Sequence, residues 1–237
     1  MIHLSVVIPC YNEAKSIPYL IQKCKESLVQ EFNIEFIFVD NGSNDSSSDI
    51  LTNLLSKPEN SFGKLVTVKK NIGYGNGIIQ GLNNANGEIY AWTHADLQTD
   101  PKDVINAYVK FKKNLLKNYS FVKGIRVNRN IFDSFFTFGM SIISSLLLKK
   151  KLFDVNAQPK MFNKIFFDEL VNPPLDFSLD LFFYYQALNK NLKIETFPVY
   201  FNKRHSGIDK GGGTISGKLK LIKRTFKYIL ELRNKLN

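Results

Sequence analysis

Apolar positions in the first hundred residues fall into short continuous runs, and polar stretches of helical period separate them. "LSVVIPCYNE" is a β-branched run stopped by Pro9, and "SIPYLIQKCKESLV" then carries apolar residues at helical spacing from Ile17 onward. The pair recurs as "IEFIFVD" (Ile34 to Asp40), the turn-rich "NGSNDSSSD" and an apolar-periodic segment from Ile50 to Leu55. A third run, "KLVTVKK", leads into "NIGYGNGIIQGLNNA", a glycine-rich loop opening a helix, and "GEIYAWTHAD" follows. Strands alternating with helices predict an α/β fold, with a mostly parallel central sheet and helices on both faces.

Beyond about Phe121 the pattern loosens. It predicts a strand over "SFVKGIRV", an apolar helix, a loop "FDVNAQPKMF", a helix from Ser178 to Leu188 and a strand "IETFPVYF". The apolar helix, Ser134 to Leu148, is shorter than the ~20 residues that cross a bilayer. Its Ser134, Thr137, Ser141 and Ser144 recur at helical spacing between two apolar flanks. No linker composition divides the chain, so residues 1–215 are expected to form one catalytic domain and 216–237 a basic amphipathic helix, with Leu219, Ile222, Phe226 and Ile229 on one side.

Composition narrows the partners. The 237 residues suffice for one substantial core, and the formal charge of +11 points to something anionic: a membrane surface, a nucleic acid or a phosphorylated substrate. The terminal basic residues interleave with aliphatics and lack the stacked aromatics of single-strand binders, which argues against nucleic acid. Two cysteines, Cys10 and Cys24, make no disulfide framework, and Met1 to Cys10 lacks a signal-peptide pattern, so a cytoplasmic location is expected.

Open sheets of this kind bind ligands beyond the carboxyl ends of their strands. Those ends carry Pro9-Tyr11-Asn12-Glu13, Asp40 to Asp45, and His94-Asp96-Gln98. Taken in order, "VIPCYNE", "FVDNGSND", "NIGYGNGIIQGL" and "ADLQ" resemble the nucleotide-diphospho-sugar glycosyltransferases of family 2, which have a GT-A fold, and in particular the subgroup making dolichyl- or polyprenyl-phosphate sugars. The resemblance extends to about Gly213. It implies that Pro9, Tyr11, Glu13 and Asp40 hold the nucleotide base and ribose, and that the loop with Gly73 and Gly75 closes over the base. A carboxylate can accept hydrogen bonds from a base N–H or a ribose hydroxyl, and a tyrosine ring can pack on a base. Asp45 is read as a turn and helix cap. The glycine loop lacks the lysine of a P-loop, and its glycines serve equally for a turn.

The family's metal motif reads here as His94-Ala95-Asp96-Leu97-Gln98, where Asp96 and Gln98 match and His94 departs. The implied cofactor is a divalent cation, Mg²⁺ or Mn²⁺. One carboxylate suffices when the substrate's phosphates complete the shell, and His94 is either a ligand or a nearby hydrogen-bonding group.

Cationic candidates lie in "KGIRVNR", with Lys123, Arg126 and Arg129, and in "NKRHSGIDKGGG", with Arg204 and Lys210. Guanidinium and ammonium groups suit a diphosphate leaving group or a phosphate acceptor, so Arg204 and Lys210 are assigned to the former and Lys123 and Arg126 to the latter; for Arg129 surface solvation is the preferred reading. "FDVNAQPKMF" resembles the subgroup's Asp-x-x-x-Gly-Phe-Lys segment, with Gln158 and Pro159 departing from it. Asp180 is the candidate base for a hydroxyl acceptor, or else a charge favourable at a helix start. The expected activity is metal-dependent glycosyl transfer, specifically hexosyl transfer, from a nucleotide diphosphate donor to a polyprenyl phosphate, by a protein peripheral to the anionic inner face of the membrane. The alternative acceptor is a hydroxyl of a surface polysaccharide or lipid-linked glycan. Oligomeric state is left open.

Overall fold

The computed structural model describes residues 1–128, 141–202, 204, 223 and 225–232. Its centre is a seven-stranded sheet of order β3-β2-β1-β4-β6-β5-β7. The strands are β1 (Ile2–Cys10), β2 (Ile34–Asp40), β3 (Gly63–Thr67), β4 (Gly87–Trp92), β5 (Ser120–Val127), β6 (Lys160–Asn163) and β7 (Lys193–Tyr200). β1 to β4 are mutually parallel, β6 runs antiparallel to both β4 and β5, and β7 is parallel to β5.

Helices α1 (Ile17–Ser27), α2 (Ser47–Leu55) and α4 (Pro101–Leu116) cover one face. There Leu4, Val6, Ile8 and Cys10 of β1 meet Leu20, Cys24, Leu51, Val104 and Tyr108. The other face takes α3 (Tyr74–Asn83), α5 (residues 141–148), α6 (Lys164–Asp168), α7 (Leu179–Asn189) and α8 (residues 225–232). On that side Val7, Val39, Trp92, Phe121 and Phe162 pack on Ile78, Phe166, Phe183 and Ile229. Burial on both faces is why β1, β2 and β4 read as unbroken apolar runs rather than alternating ones. α3 lies close on the sheet because Gly81 has no side chain: a Cβ there would sit 2.3 Å from Val7 Cγ1.

Two features differ from the sequence expectation, and a third adds to it. α4, which starts at Pro101 behind an Asp100 side-chain cap on Lys102 N (2.9 Å), is an element the pattern reading passed over. β6 occupies the end of the expected loop "FDVNAQPKMF", and it is the strand that reverses direction. α8 packs Ile229 and Leu232 into the second core cluster. Residues 134–140 of the expected apolar helix and 216–222, 224 and 233–237 of the terminal one lie outside the described residues. Among those described, no helix is long and apolar enough to cross a membrane.

Candidate functional site

The first two strand ends are sewn together by side chain to backbone hydrogen bonds. Asn12, at φ 53°, accepts from Asn44 N at 2.8 Å, and its own N–H donates to Ser43 Oγ at 3.0 Å. Glu13 N donates to Ser47 Oγ (2.8 Å). The buried carboxylate of Asp40 accepts from Ser43 N (3.1 Å), while Asp45 accepts from Ser47 N and Ala14 N. Asp45 thus holds the turn that starts α2.

The third strand end is the glycine loop. Gly73, at φ 148°, lies against a segment distant in sequence: a Cβ there would meet Leu175 O at 2.2 Å, and one at Gly75 would meet Pro174 O and Asp176 O at 2.7 Å. Asn76 N donates to Leu175 O (2.9 Å), so the start of α3 is engaged by protein backbone. Asn41 Nδ2 donates to Gly73 O (2.9 Å) and ties the loop to β2. This packing by itself accounts for both glycines. Next to them Tyr74 stacks on Phe177, with centroids 5.0 Å apart, and its ring lies 6.0 Å from that of His94.

The loop after β4 brings the metal motif beside this wall. Asp96 Oδ1 accepts from Gln98 N at 3.1 Å across Leu97, which has φ 58°. Gln98 also holds the chain after β7, its carbonyl accepting from Asn202 N (2.8 Å) and its Nε2 donating to Asn202 O (3.3 Å). That anchor lets Arg204 reach back to β1, where its guanidinium donates to Glu13 Oε1. The carboxylate assigned to the ribose is therefore paired with the cation assigned to the leaving group. For a divalent cation this loop offers one carboxylate (Asp96), the His94 imidazole and the Gln98 amide oxygen. No group of three His, Cys, Asp or Glu side chains among the described residues could hold a metal. The donor set fits a cation that takes its remaining ligands from a diphosphate and water.

Strand pairing builds the other half. Trp92 of β4, Lys160 of β6 and Lys123 of β5 stand side by side, on one face of the sheet. Lys160, fully buried, donates to Val155 O and Ala157 O at 2.7 Å each and pairs with Asp180 at 3.1 Å. Burial lowers its pKa, against the pull of Asp180. Asp180 also accepts from Gln158 Nε2 (2.8 Å), which in turn lies 3.2 Å from the Tyr74 hydroxyl. Burial foremost, and the charge of Asp180, push the Tyr74 phenol well up. Lys123 donates to Gly124 O (2.8 Å) and faces the Tyr184 ring. Its pKa is pushed down to about 7 by burial and by Lys160. Arg126 is held by Asp154, with Nε to Oδ1 at 3.0 Å and the backbone N to Oδ2 at 2.9 Å. Burial works to raise the Asp154 carboxyl, but the Arg126 hydrogen bonds and charge outweigh it and hold the pKa below the usual range.

The structure thus gathers Glu13, Asp40, Gly73, Gly75, His94, Asp96, Gln98 and Arg204 beyond the parallel strands. It sets Lys123, Arg126 and Asp180 on the β5–β6 side. Lys210 and Arg129 lie outside the described residues. Tyr74, Gln158 and Lys160 are site neighbours to which sequence reasoning gave no role; an aromatic inside the glycine run was the one available signal for Tyr74.

Sheet order, strand-end loops and buried faces define the GT-A fold. The Glycosyl transferase family 2 model matches residues 5–171, and the chain belongs to that family. It is 35% identical over 151 residues to the undecaprenyl-phosphate 4-deoxy-4-formamido-L-arabinose transferase of Photorhabdus laumondii subsp. laumondii, covering 62% of this chain and 43% of that protein. The enzyme of the same name from Serratia proteamaculans is 34% identical with the same coverage. The match therefore spans less than half the length of these relatives. Among solved structures, glucosyl-3-phosphoglycerate synthase from Mycobacterium tuberculosis with Mn²⁺, UDP-glucose and phosphoglyceric acid superposes with a TM-score of 0.75, at 13% identity over 98% of this chain and 80% of that one. The same enzyme with Mg²⁺ and UDP gives 0.72 at 14% identity, over 98% and 79%. At such identities the likeness is one of fold.

Proposed function

We propose that this chain transfers a sugar from a nucleotide diphosphate donor to a polyprenyl phosphate at the cytoplasmic face of a membrane. The observation that carries the choice of acceptor is the state of Asp180. Its carboxylate is committed to the buried Lys160 and to Gln158, whereas a hydroxyl acceptor needs a base to take its proton. A phosphate acceptor is already anionic and needs none. Its charge complements Lys123, which has a carbonyl and a ring face as partners and, among the described residues, no carboxylate within ion-pair distance. The names of the two relatives support the same acceptor class.

In this reading Pro9, Tyr11, Glu13 and Asp40 take the base and ribose, with Gly73 and Gly75 walling the pocket, and residues 1–215 form the transferase unit with 216–237 appended. A phosphate oxygen of the acceptor attacks the anomeric carbon while the bond to the donor's diphosphate breaks. The leaving diphosphate takes the electron pair, and Arg204 and Lys210 stabilise its charge. Asp96, with Gln98 and His94, would hold a divalent cation that neutralises the same diphosphate. Lys123 and Arg126 hold the acceptor phosphate. The relatives' names specify a derivative of arabinose, a pentose, and give no support to hexosyl transfer in particular, so the proposal specifies the bond made and not the sugar.

The test is a panel of nucleotide sugars offered with undecaprenyl phosphate, with and without Mn²⁺ or Mg²⁺, followed by organic extraction. Label carried into the lipid phase in an acid-labile phosphodiester is expected. Label that reaches a glycan hydroxyl and never the lipid phosphate would overturn the reading.

A further inference from the structure

α5 turns serines inward over its first turn, before Leu147 and Leu148 join the core at its end. Ser141 and Ser144 face the protein, Ser144 at 2% exposure, while Ile142, Ile143 and Leu146 face outward, Leu146 at 74%. In an ordinary surface helix the serines would take the solvent side. Here Ser141 and the half-buried Ser145 have structural tasks. Ser141 Oγ accepts from Asp154 N (3.3 Å), and Ser145 Oγ accepts from Leu152 N (2.9 Å), which folds the chain back after the helix and leaves Phe153 exposed beside it. Just beyond the helix, which ends at residue 148, come the exposed Lys149 and Lys151, while Lys150 between them donates to Leu188 O of α7 (3.5 Å). The outer surface of this unit is thus an apolar patch bordered by two exposed lysines.

We infer that the outer face of α5, Ile142, Ile143 and Leu146 with Phe153 and the bordering Lys149 and Lys151, is the surface by which the protein docks on an anionic lipid bilayer. Apolar side chains beside basic ones match the interfacial layer of such a membrane, where the former enter the acyl boundary and the latter meet the headgroups. A second copy of this chain, equally basic, would bring like charges together at the same border. The position also has a use. Asp154, whose N–H is fixed by Ser141, is the carboxylate that holds Arg126, so the docking face is two hydrogen bonds from a cation assigned to the acceptor phosphate. The inference rests on the lipid-acceptor reading for its purpose but not for its test.

The test is flotation of the full chain with vesicles of equal parts phosphatidylcholine and phosphatidylglycerol, and with phosphatidylcholine alone. Binding to the anionic vesicles at low salt is expected, with a fall on raising the salt. The triple variant Ile142→Ser, Ile143→Ser, Leu146→Ser should lower the bound fraction about tenfold or more. Lys149→Gln with Lys151→Gln should weaken the salt dependence. Because these side chains lie outside the core, the triple variant should keep its unfolding midpoint, and it should transfer sugar at the normal rate to a short-chain, water-soluble polyprenyl phosphate while losing rate on vesicle-borne acceptor. Vesicle binding unchanged in the triple variant would overturn the inference. So would absent flotation together with a dimer in sedimentation that the variant dissolves. If the unaltered protein transfers to no polyprenyl phosphate, the proposed acceptor falls, and flotation still decides the docking face by itself.

Discussion

Arg204 donates a hydrogen bond to Glu13, joining the chain beyond β7 to the end of β1 across 191 positions of sequence. Both groups are largely shielded from solvent. Glu13 therefore positions the arginine assigned to the leaving diphosphate, and removing either residue takes this charge partner from the other. Glu13→Gln and Arg204→Gln should each raise KM for the donor and lower kcat. The double variant should be little worse than the poorer single one, a coupling of ~1–2 kcal/mol. Steady-state kinetics on the four proteins measures it; strictly additive losses would separate the two residues.

Asp180→Asn strips the buried ammonium of Lys160 of its carboxylate, leaving two carbonyls and an amide. Breaking a buried pair from one side costs about 3–5 kcal/mol, so the unfolding midpoint in urea should fall steeply. Lys160→Met combined with Asp180→Asn should recover part of that loss. Among molecules that remain folded, transfer to a phosphate acceptor should change little. A hundredfold drop in kcat at unchanged donor KM would identify Asp180 as a base and favour the hydroxyl acceptor.

The parallel half of the fold was legible because strands buried on both faces leave continuous apolar runs, and each is followed by a helix of clear period. Strand ends then pointed to the site without further knowledge. β6 escaped because it is four residues long and begins with Lys160, and a lysine is read as exposed unless its partners are known. α5 misled in a different way. Its alternation of serine and apolar residues is visible, but which side faces the protein depends on hydrogen bonds to Asp154 and Leu152 that no local pattern encodes. The Glu13–Arg204 pair is set by the return of the chain beyond β7, which Gln98 holds at Asn202.

Lys123 gives the site a pH dependence near neutrality. It faces Lys160 of β6, Arg126 of its own strand, Asp154, and Asp180 and Tyr184 of α7. Its folded pKa of about 7 lies below the ordinary 10.5, so the unfolded chain holds more protons from about pH 7 up to 10.5. Stability contributed by this group therefore rises with pH through that window, with a slope of up to ~1.4 kcal/mol per unit, and is lowest below pH 7 where both states are charged. Lys123→Met should flatten the slope in urea titrations. The acceptor should feel the opposite trend: KM for a phosphate acceptor should rise above about pH 7 as the ammonium is lost, and the variant should lack that rise.

Asp96→Asn separates the carboxylate's charge from its place in the fold. The Oδ1 that accepts from Gln98 N remains in asparagine, so the turn across Leu97 and its link to Asn202 should persist, with an unchanged unfolding midpoint. What disappears is the one carboxylate available to a divalent cation in this loop. Mn²⁺ binding in the presence of a nucleoside diphosphate, followed by electron paramagnetic resonance, should weaken on the order of 10–100-fold, and transfer should be abolished. His94→Asp restores a second oxygen donor and should keep or raise Mg²⁺-supported activity; complete loss there would assign the imidazole a role that a carboxylate cannot fill.

Gly73→Ala tests whether the glycine loop is shaped by the protein or by a ligand. The added methyl would meet Leu175 O at 2.2 Å on a backbone at φ 148°, so either α3 must retreat from the segment before α7 or that segment must lift. Both movements disturb Tyr74, whose ring stacks on Phe177 and whose hydroxyl meets Gln158. A loss of about 2–3 kcal/mol in stability is expected with no ligand present, since strain at a special φ and overpacking act together. Donor affinity should fall as well, because the wall formed by Tyr74 and His94 shifts with α3. Chemical denaturation without nucleotide is the deciding measurement. A variant as stable as the parent but unable to bind donor would mean that Gly73 is small for the nucleotide's sake and that its closeness to Leu175 is incidental.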